Sequence, residues 1–163
     1  MAEKRINIVI TLCLIAVIFL IAAFYFATKI VFPEKYSEEI ASASAVYGID
    51  ENIIKAVIWT ESKYNESAVS SKGASGLMQL MPQTRAEQSE ISGIAADCSP
   101  YSEIMLGTGY LARMLLDTGD LETALMAYNA GLANVRKWSS PFPESAEYVR
   151  RVFFARNIYK YLK

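Results

Sequence analysis

Histidine is absent from this chain, and its 163 residues include only two cysteines. Cys13 lies inside an uncharged apolar run near the N-terminus, so Cys98 cannot form an intrachain disulfide within the remainder of the chain. The usual ligands of zinc and the residues of Cys–His and Ser–His catalysis are therefore missing. We predict neither a metal site nor a cofactor. Any chemistry has to use carboxylates, hydroxyls, amides, lysines or tyrosines.

Blocks of charge of one sign are also missing. The chain has 16 basic and 17 acidic residues and a net charge of −1, with no basic cluster. A nucleic-acid-binding surface needs such a cluster to neutralise phosphates, so we predict no nucleic-acid partner. The sequence contains no internal repeat, no low-complexity tract and no long alternating run that would predict a sheet.

A long apolar run is present instead. Ile6 to Thr28 is 23 residues without a charge, and a helix of that length is about 34 Å long, enough to span a bilayer core. The run exceeds the apolar region of about 7–15 residues in a cleaved signal peptide, so we favour an uncleaved anchor, with cleavage as the alternative. Lys4 and Arg5 predict a cytoplasmic N-terminus. Lys29 and Lys35 weaken that argument, because they add positive charge on the other side.

The rest of the chain reads as one mainly α domain. We predict a cytoplasmic tip and transmembrane anchor over residues 1–28, a short stalk over 29–36 and a compact helical domain over 37–163. Asp50 and Asp120 suit N-caps, and Gly48 and Gly131 suit helix ends. The predicted helices are Ser37–Tyr47, Glu51–Lys63, Gln83–Ser89, Pro100–Asp117, Leu121–Ala130 and a last helix after Pro143 to about Tyr161.

One acidic residue completes an apolar face. Ile54, Val57, Ile58 and Glu61 follow each other at helical spacing, so a carboxyl group ends an otherwise apolar stripe. Desolvation at such a place favours the protonated form, which a general acid requires.

The ordinary alternative has better than even weight from periodicity alone. A glutamate at a helix end is usually solvated, and Lys63 or Lys72 could pair with Glu61.

Three sequence blocks add specificity. Glu61-Ser62 is followed by Ala68-Val69-Ser70, by the long block from Lys72 to Thr84 with Gly76-Leu77-Met78-Gln79 at its centre, and later by Ala127-Tyr128-Asn129-Ala130-Gly131. Their order resembles the lytic transglycosylase family, in the soluble-lytic-transglycosylase branch of the goose-type-lysozyme-like fold. The resemblance covers about Tyr36 to Tyr161 and implies a compact lysozyme-like helical domain.

The resemblance implies a role for seven residues. Glu61 corresponds to the family's catalytic glutamate, and the residues expected to contact or orient the substrate are Ser70, Gln79, Met81, Tyr128, Asn129 and Tyr148. Four of them have structural alternatives: Met81 and Tyr148 could belong to the core, Tyr128 could be part of the Leu121–Leu125 face of its helix, and Asn129 could cap a helix. A functional role is favoured for Gln79, because an amide inside an apolar run needs a partner.

Two positions depart from the family pattern. The family often has asparagine at the position of Glu103, and it commonly has threonine–arginine where Ser145-Ala146 stands. Neither departure affects the expected acid, but both bring the finer substrate contacts into question.

The resemblance implies the substrate and the reaction. Peptidoglycan glycan strands would be cut at the β-1,4 bond between N-acetylmuramic acid (MurNAc) and N-acetylglucosamine (GlcNAc), leaving 1,6-anhydro-MurNAc ends, with Glu61 as both acid and base. The domain would then lie on the extracytoplasmic side of a single-pass anchor, and its envelope partners are unknown. The alternatives are a hydrolytic muramidase on the same fold, a non-catalytic peptidoglycan-binding module of an envelope complex and, least favoured, a purely structural membrane protein.

Overall fold

The computed structural model describes residues 2–137 and 143–162. Met1 and Lys163, the outer ends of the predicted segments, lie outside the described residues. The chain divides into two compact units, residues 1–33 and residues 34–163.

The first unit contains one helix, α1, which spans Ala2–Val31. Its stretch Ile10–Val31 is long and apolar enough to cross a membrane. Large side chains such as Phe19, Leu20 and Phe24 are exposed on it, which is unfavourable in water for so many neighbouring apolar groups. The helix continues past Thr28 into the segment predicted as a stalk.

The second unit is helical, as predicted. Its described helices are α2 Ser37–Tyr47, α3 Glu51–Ser62, α4 Pro82–Ser92, α5 Pro100–Thr118, α6 Leu121–Ala130, α7 Leu132–Lys137 and α8 Pro143–Tyr161. Every predicted helix is present, and α4 is longer than predicted at both ends. Helix α3 ends at Ser62 instead of Lys63, because Lys63 takes a left-handed conformation with φ 53°. Helix α7 was not predicted.

The predicted caps explain where several helices begin and end. The Asn52 N–H donates to Asp50 Oδ1 over 2.8 Å at the start of α3. The Thr123 N–H donates to Asp120 Oδ1 over 2.9 Å at the start of α6. Such a bond satisfies one of the free N–H groups of a first helical turn.

The core of the second unit lies between α3, α5, α6 and α8. Helix α3 packs mainly on α8, while α5 packs on α2 and α6, and α6 also packs on α8. Ile54 and Ile58 of α3 are fully buried, and burying a side chain of this size contributes about 1.5–3 kcal/mol. The buried stripe therefore fixes the orientation of α3, including its last turn.

The polar connection after α3 is irregular. Lys63 and Tyr64 both have left-handed backbones, so the chain turns sharply away from the helix. In the described part of this connection the pairing consists of two isolated antiparallel bridges, Val69 with Ser75 and Ser75 with Leu80. Ser75 therefore joins the two sides of a small folded loop, which leads into α4.

Candidate active site

Glu61 is in the last turn of α3 and lines a cleft of about 500 Å³. Its side chain is partly exposed, although the residues before it in the stripe are buried. The structure brings six of the seven predicted site residues together in the lining of this one cleft: Glu61, Ser70, Gln79, Met81, Tyr128 and Asn129.

Tyr148, the seventh predicted residue, is not part of the cleft lining. It is a buried residue of α8 and lines an adjoining hollow of about 790 Å³, which shares Lys72, Asn129 and Ala130 with the cleft. Its hydroxyl is close enough to the Glu61 carboxyl to lower the pKa of that group. Among the described residues the Tyr148 hydroxyl nevertheless has no hydrogen-bond partner of ordinary geometry, so its hydrogen-bonding capacity is not fully used.

The pKa of Glu61 is raised from its ordinary value to about 7. Desolvation is the largest cause, as expected for a carboxyl at the end of an apolar stripe. The Tyr148 hydroxyl and the positive charges of Arg151 and Lys63 act in the opposite direction and lower it. At neutral pH both the protonated and the ionised form of such a carboxyl are populated, so it can donate and accept a proton.

Gln79 has a left-handed backbone, and its amide nitrogen donates two hydrogen bonds. Its φ is 49°, and its Nε2 donates to the carbonyl oxygens of Ala68 at 3.0 Å and Gly76 at 2.9 Å. The hydrogen-bond partners expected for this amide are thus backbone carbonyl oxygens. Because the nitrogen faces two acceptors, the side-chain oxygen is the atom left to serve a ligand.

Tyr128 joins two walls of the cleft. Its hydroxyl donates to the carbonyl oxygen of Met78 over 2.8 Å, and its ring lies against that of Tyr110, with 5.2 Å between the centroids. Tyr128 is buried, so it contributes to the core and to the cleft lining at once.

The other three predicted residues differ in exposure. Met81 is 43% exposed and precedes α4. Asn129 is exposed, and its Oδ1 accepts a long bond of 3.4 Å from the Ser145 hydroxyl. Ser70 is half-buried, and its Oγ accepts from the Ala74 N–H over 3.0 Å. Leu77 and Met78, by contrast, are fully enclosed core residues.

A second carboxylate is not part of the cleft lining formed by the described residues. Glu66, the nearby acid in the sequence, instead accepts a hydrogen bond from the Tyr36 hydroxyl. Glu144 and Glu147 line the adjoining hollow, and Glu147 forms an ion pair with Arg150. The arrangement therefore offers one carboxyl group for proton transfer.

A family model for the transglycosylase SLT domain matches residues 38–149. This match covers more than half of the chain and contains every residue of the cleft. The chain belongs to the SLT-domain family.

Three comparisons place this SLT domain among known proteins. It is 38% identical over 103 residues to a transglycosylase of Enterobacteria phage PRD1, covering 63% of this chain and 37% of that protein. It is 35% identical over 116 residues to membrane-bound lytic murein transglycosylase C of Shigella sonnei, covering 62% and 32%. The structure of lytic transglycosylase Slt of Pseudomonas aeruginosa superposes with a TM-score of 0.75 at 31% identity, covering 80% of this chain and 25% of that one. The chain thus spans about a quarter to two fifths of these longer proteins.

The structure adds residues to the site of this SLT domain that were not predicted for it. Tyr110 and Thr84 line the cleft, and Lys72 lines both cleft and hollow. Lys63 and Arg151 act on Glu61 through their charge. Arg151 follows Tyr148 by three residues on α8, a spacing that predicts a shared helix face, whereas the contact of Tyr110 with Tyr128 depends on the packing of α5 on α6.

The predicted alternative for Glu61 was a solvated carboxylate that Lys63 or Lys72 could pair with. Among the described residues neither Lys63 nor Lys72 makes an ion pair with it. Lys63 Nζ instead lies 3.1 Å from the centroid of the Trp59 ring, an attractive position for a cation. The carboxyl of this SLT domain is therefore influenced by positive charge without being neutralised by a bonded partner.

Proposed function

We propose that this protein is a membrane-anchored peptidoglycan lytic transglycosylase, in which Glu61 is the single acid and base. The observation that carries the proposal is a lone cleft carboxyl with a pKa of about 7. Ordinary glycosidases use two carboxyl groups placed across the scissile bond. A site with one carboxyl suits a reaction in which groups of the substrate itself do the work of the second carboxyl.

The first step breaks the glycosidic bond. Protonated Glu61 donates its proton to the oxygen that joins C1 of MurNAc to C4 of GlcNAc. The C1–O bond breaks, and GlcNAc leaves with a free 4-hydroxyl. The carbonyl oxygen of the 2-acetamido group of MurNAc stabilises the positive charge at C1, as in other substrate-assisted glycosidases.

The second step closes the ring. Ionised Glu61 takes the proton of the MurNAc 6-hydroxyl, and the oxygen O6 forms a bond to C1. The product is a 1,6-anhydro-MurNAc end, and Glu61 has recovered its proton without the entry of water. A pKa near the working pH is favourable because the same group must give and take a proton in one cycle.

The cleft residues have complementary tasks in this proposal. Ser70, Gln79, Met81, Tyr128 and Asn129 line the sugar site, with the Gln79 oxygen accepting a hydrogen bond from the sugar. Tyr148 orients Glu61 and donates to charge that develops beside it, the usual task of a preorganised hydroxyl.

The relatives support the reaction and the need for a glutamate. The curated relatives bear the names transglycosylase and membrane-bound lytic murein transglycosylase C. The Pseudomonas aeruginosa structure is that of an inactive mutant in which a glutamate is replaced by glutamine.

The anchor is part of the proposal. Residues 1–28 form a cytoplasmic tip and a single membrane span, residues 29–36 a stalk, and residues 37–163 the catalytic domain on the extracytoplasmic side, where peptidoglycan lies. Support comes from the exposed apolar helix α1 and from the membrane-bound relatives.

Product analysis of digested cell-wall sacculi tests the reaction. Wild-type protein should release muropeptides with 1,6-anhydro-MurNAc ends, and Glu61→Gln should lower the rate by about 10²–10⁴-fold, the usual contribution of acid–base catalysis. Glu66→Gln is the matched control, because Glu66 is bonded to Tyr36 away from the cleft, and it should retain activity.

Each of the other results contradicts part of the proposal. Reducing ends that incorporate ¹⁸O from labelled water would identify a muramidase. Binding to sacculi with no cleavage by the wild type would identify a binding module. Lysis by Glu61→Gln at the wild-type rate would remove Glu61 from the reaction.

A further inference from the structure

A buried ion pair lies beneath the cleft wall. Glu103 of α5 and Arg85 of α4 are 4% and 7% exposed, and Arg85 Nη1 lies 2.5 Å from Glu103 Oε1. Neither residue lines the cleft. Removing one member of such a pair leaves the other charge buried and uncompensated, so the two residues depend on each other.

Both members of the pair also hold the backbone of the same loop. The Leu77 N–H donates to the Glu103 carboxylate. Arg85 Nη2 donates to the carbonyl oxygen of Ser75 at 2.9 Å and to its hydroxyl at 3.2 Å. The loop is therefore fixed on both sides of Gly76 by charge-assisted hydrogen bonds, which are stronger than neutral ones.

Gly76 makes this contact possible. A Cβ atom at this position would overlap the carboxylate of Glu103, and the φ of Gly76 is +81°, which L side chains rarely adopt. The glycine at the centre of the sequence block thus lets a carboxylate reach the backbone of its neighbour, Leu77.

The fixed loop continues directly into the wall of the cleft. Gln79, Leu80 and Met81 line the cleft, and the carbonyl oxygen of Met78 holds Tyr128 in the opposite wall. Ser75 itself pairs with Val69 and Leu80. A shift at Ser75 or Leu77 would therefore be passed on to the groups proposed to contact the sugar.

We propose that Glu103 and Arg85 are positioning residues that set the affinity of the cleft for glycan by fixing the Ser75–Met81 segment. This inference builds on the proposed function and concerns binding, whereas proton transfer is assigned to Glu61. Neither Glu103 nor Arg85 is among the groups that determine the pKa of Glu61.

Steady-state kinetics on glycan strands test the inference with three full-length variants. Glu103→Gln and Arg85→Met each remove one charge, and the double variant that combines them, Glu103→Gln with Arg85→Met, removes both. Each single variant should raise KM by about tenfold, because small displacements of binding groups have large effects. The double variant should be affected less than the product of the two single effects, since no unpaired ion is left.

A second ion pair between the same helices provides a matched control. Arg113 of α5 and Glu87 of α4 lie 2.7 Å apart, but their side chains are 46% and 50% exposed. Glu87→Gln therefore removes a pair between α4 and α5 without touching the loop, and its KM should equal that of the wild type. A KM increase as large as that of Glu103→Gln would overturn the inference.

Two further measurements separate positioning from a general loss of stability. The pH dependence of kcat should be unchanged in Glu103→Gln, whereas a variant that disturbs Glu61 would shift it. Hydrogen exchange of the Leu77 N–H should accelerate in Glu103→Gln at temperatures where the fold is intact. Faster exchange with an unchanged KM would mean that the pair serves stability alone.

The same inference can be tested without catalysis. Glycan binding by Glu61→Gln is compared with binding by the double variant Glu61→Gln, Glu103→Gln, and the second should bind about tenfold more weakly. This result stands even if the wild type proves to be a binding module, so failure of the proposed reaction is distinguishable from failure of the inference. Equal binding by the two proteins would overturn the inference.

Discussion

Two opposing effects act on the pKa of Glu61. Its position at the end of the apolar stripe of α3 raises the pKa to about 7, while Tyr148, Arg151 and Lys63 lower it. Without the positive charges the carboxyl would stay protonated to higher pH, so a smaller fraction of it would be in the base form at neutral pH. The two cations therefore adjust the balance between acid and base that the proposed cycle needs.

Replacing Lys63 tests this balance. In the proposed mechanism the free enzyme must carry a protonated Glu61, so kcat/KM falls as pH rises through about 7. Lys63→Met removes a charge that lowers the pKa of Glu61, so the alkaline limb of the profile should move to higher pH. The measurement is kcat/KM on glycan strands from pH 5 to 9.

The control for that experiment is Lys160→Met. Lys160 carries the same charge in the last turn of α8, and it is not among the groups that influence Glu61. Its profile should coincide with that of the wild type. A shift toward lower pH in Lys63→Met, or an equal shift in Lys160→Met, would contradict the electrostatic role of Lys63.

A local pattern predicts the raised pKa of Glu61, whereas the catalytic role of this residue stays a proposal. The raised pKa follows from the stripe of Ile54, Val57, Ile58 and Glu61, which is visible in eight residues of sequence. The proposed role of Glu103 does not follow from a local pattern. Its partners are the Leu77 backbone and Arg85, which contact it only after α4 and α5 have packed. The sequence marks Glu103 as a departure from the family, and packing shows that it contacts the loop and is not part of the cleft lining.

Helix ends were predictable where a side chain or glycine determines them. Asp50, Asp120, Gly48 and Gly131 cap helices at the predicted positions. The predicted end of α3 was wrong by one residue, because Lys63 adopts a left-handed backbone conformation that lysine seldom takes. Helix α7 was missed because it has six residues and none of them is buried, so no hydrophobic period marks it.

The N-cap of α3 gives an element-level prediction. Asp50→Ala removes the acceptor of the Asn52 N–H and should lower the free energy of unfolding by about 1 kcal/mol. Because the cap lies at the opposite end of α3 from Glu61, the pH profile of activity should not change. Urea unfolding and the pH–rate profile provide the two measurements.

Asp50→Ser retains a side-chain acceptor at the same place and is the matched variant. It should recover most of the stability lost in Asp50→Ala. If both variants lose the same stability, the hydrogen bond of the cap does not contribute.

The division into two units is a property of the whole molecule. The apolar stripe of α3 and the helices that cover it all belong to residues 34–163, whereas α1 exposes its apolar side chains. The sequence predicts this division because the apolar run has no charges and no amphipathic period. The side of the membrane cannot be read from the charges alone, since basic residues flank the run at both ends.

A chain that begins at Phe32 tests the division. It should unfold at the same urea concentration as the full chain, because it retains every residue described as buried. It should also lose flotation with lipid vesicles, which the full chain should show through α1. A lower unfolding midpoint for the shortened chain would mean that α1 supports the fold, and flotation without α1 would mean that another surface binds lipid.

The packing of α3 on α8 has a consequence for biosynthesis. Glu61 leaves the ribosome early, but Tyr148 and the helix that covers α3 are made much later. A nascent chain that ends before Pro143 carries Glu61 on a solvated helix end, where its carboxyl lacks the desolvation that raises its pKa. In the proposed function, the anchor would therefore enter the membrane before the acid is formed, and cleavage of glycan would begin only after α8 has been translated and has docked.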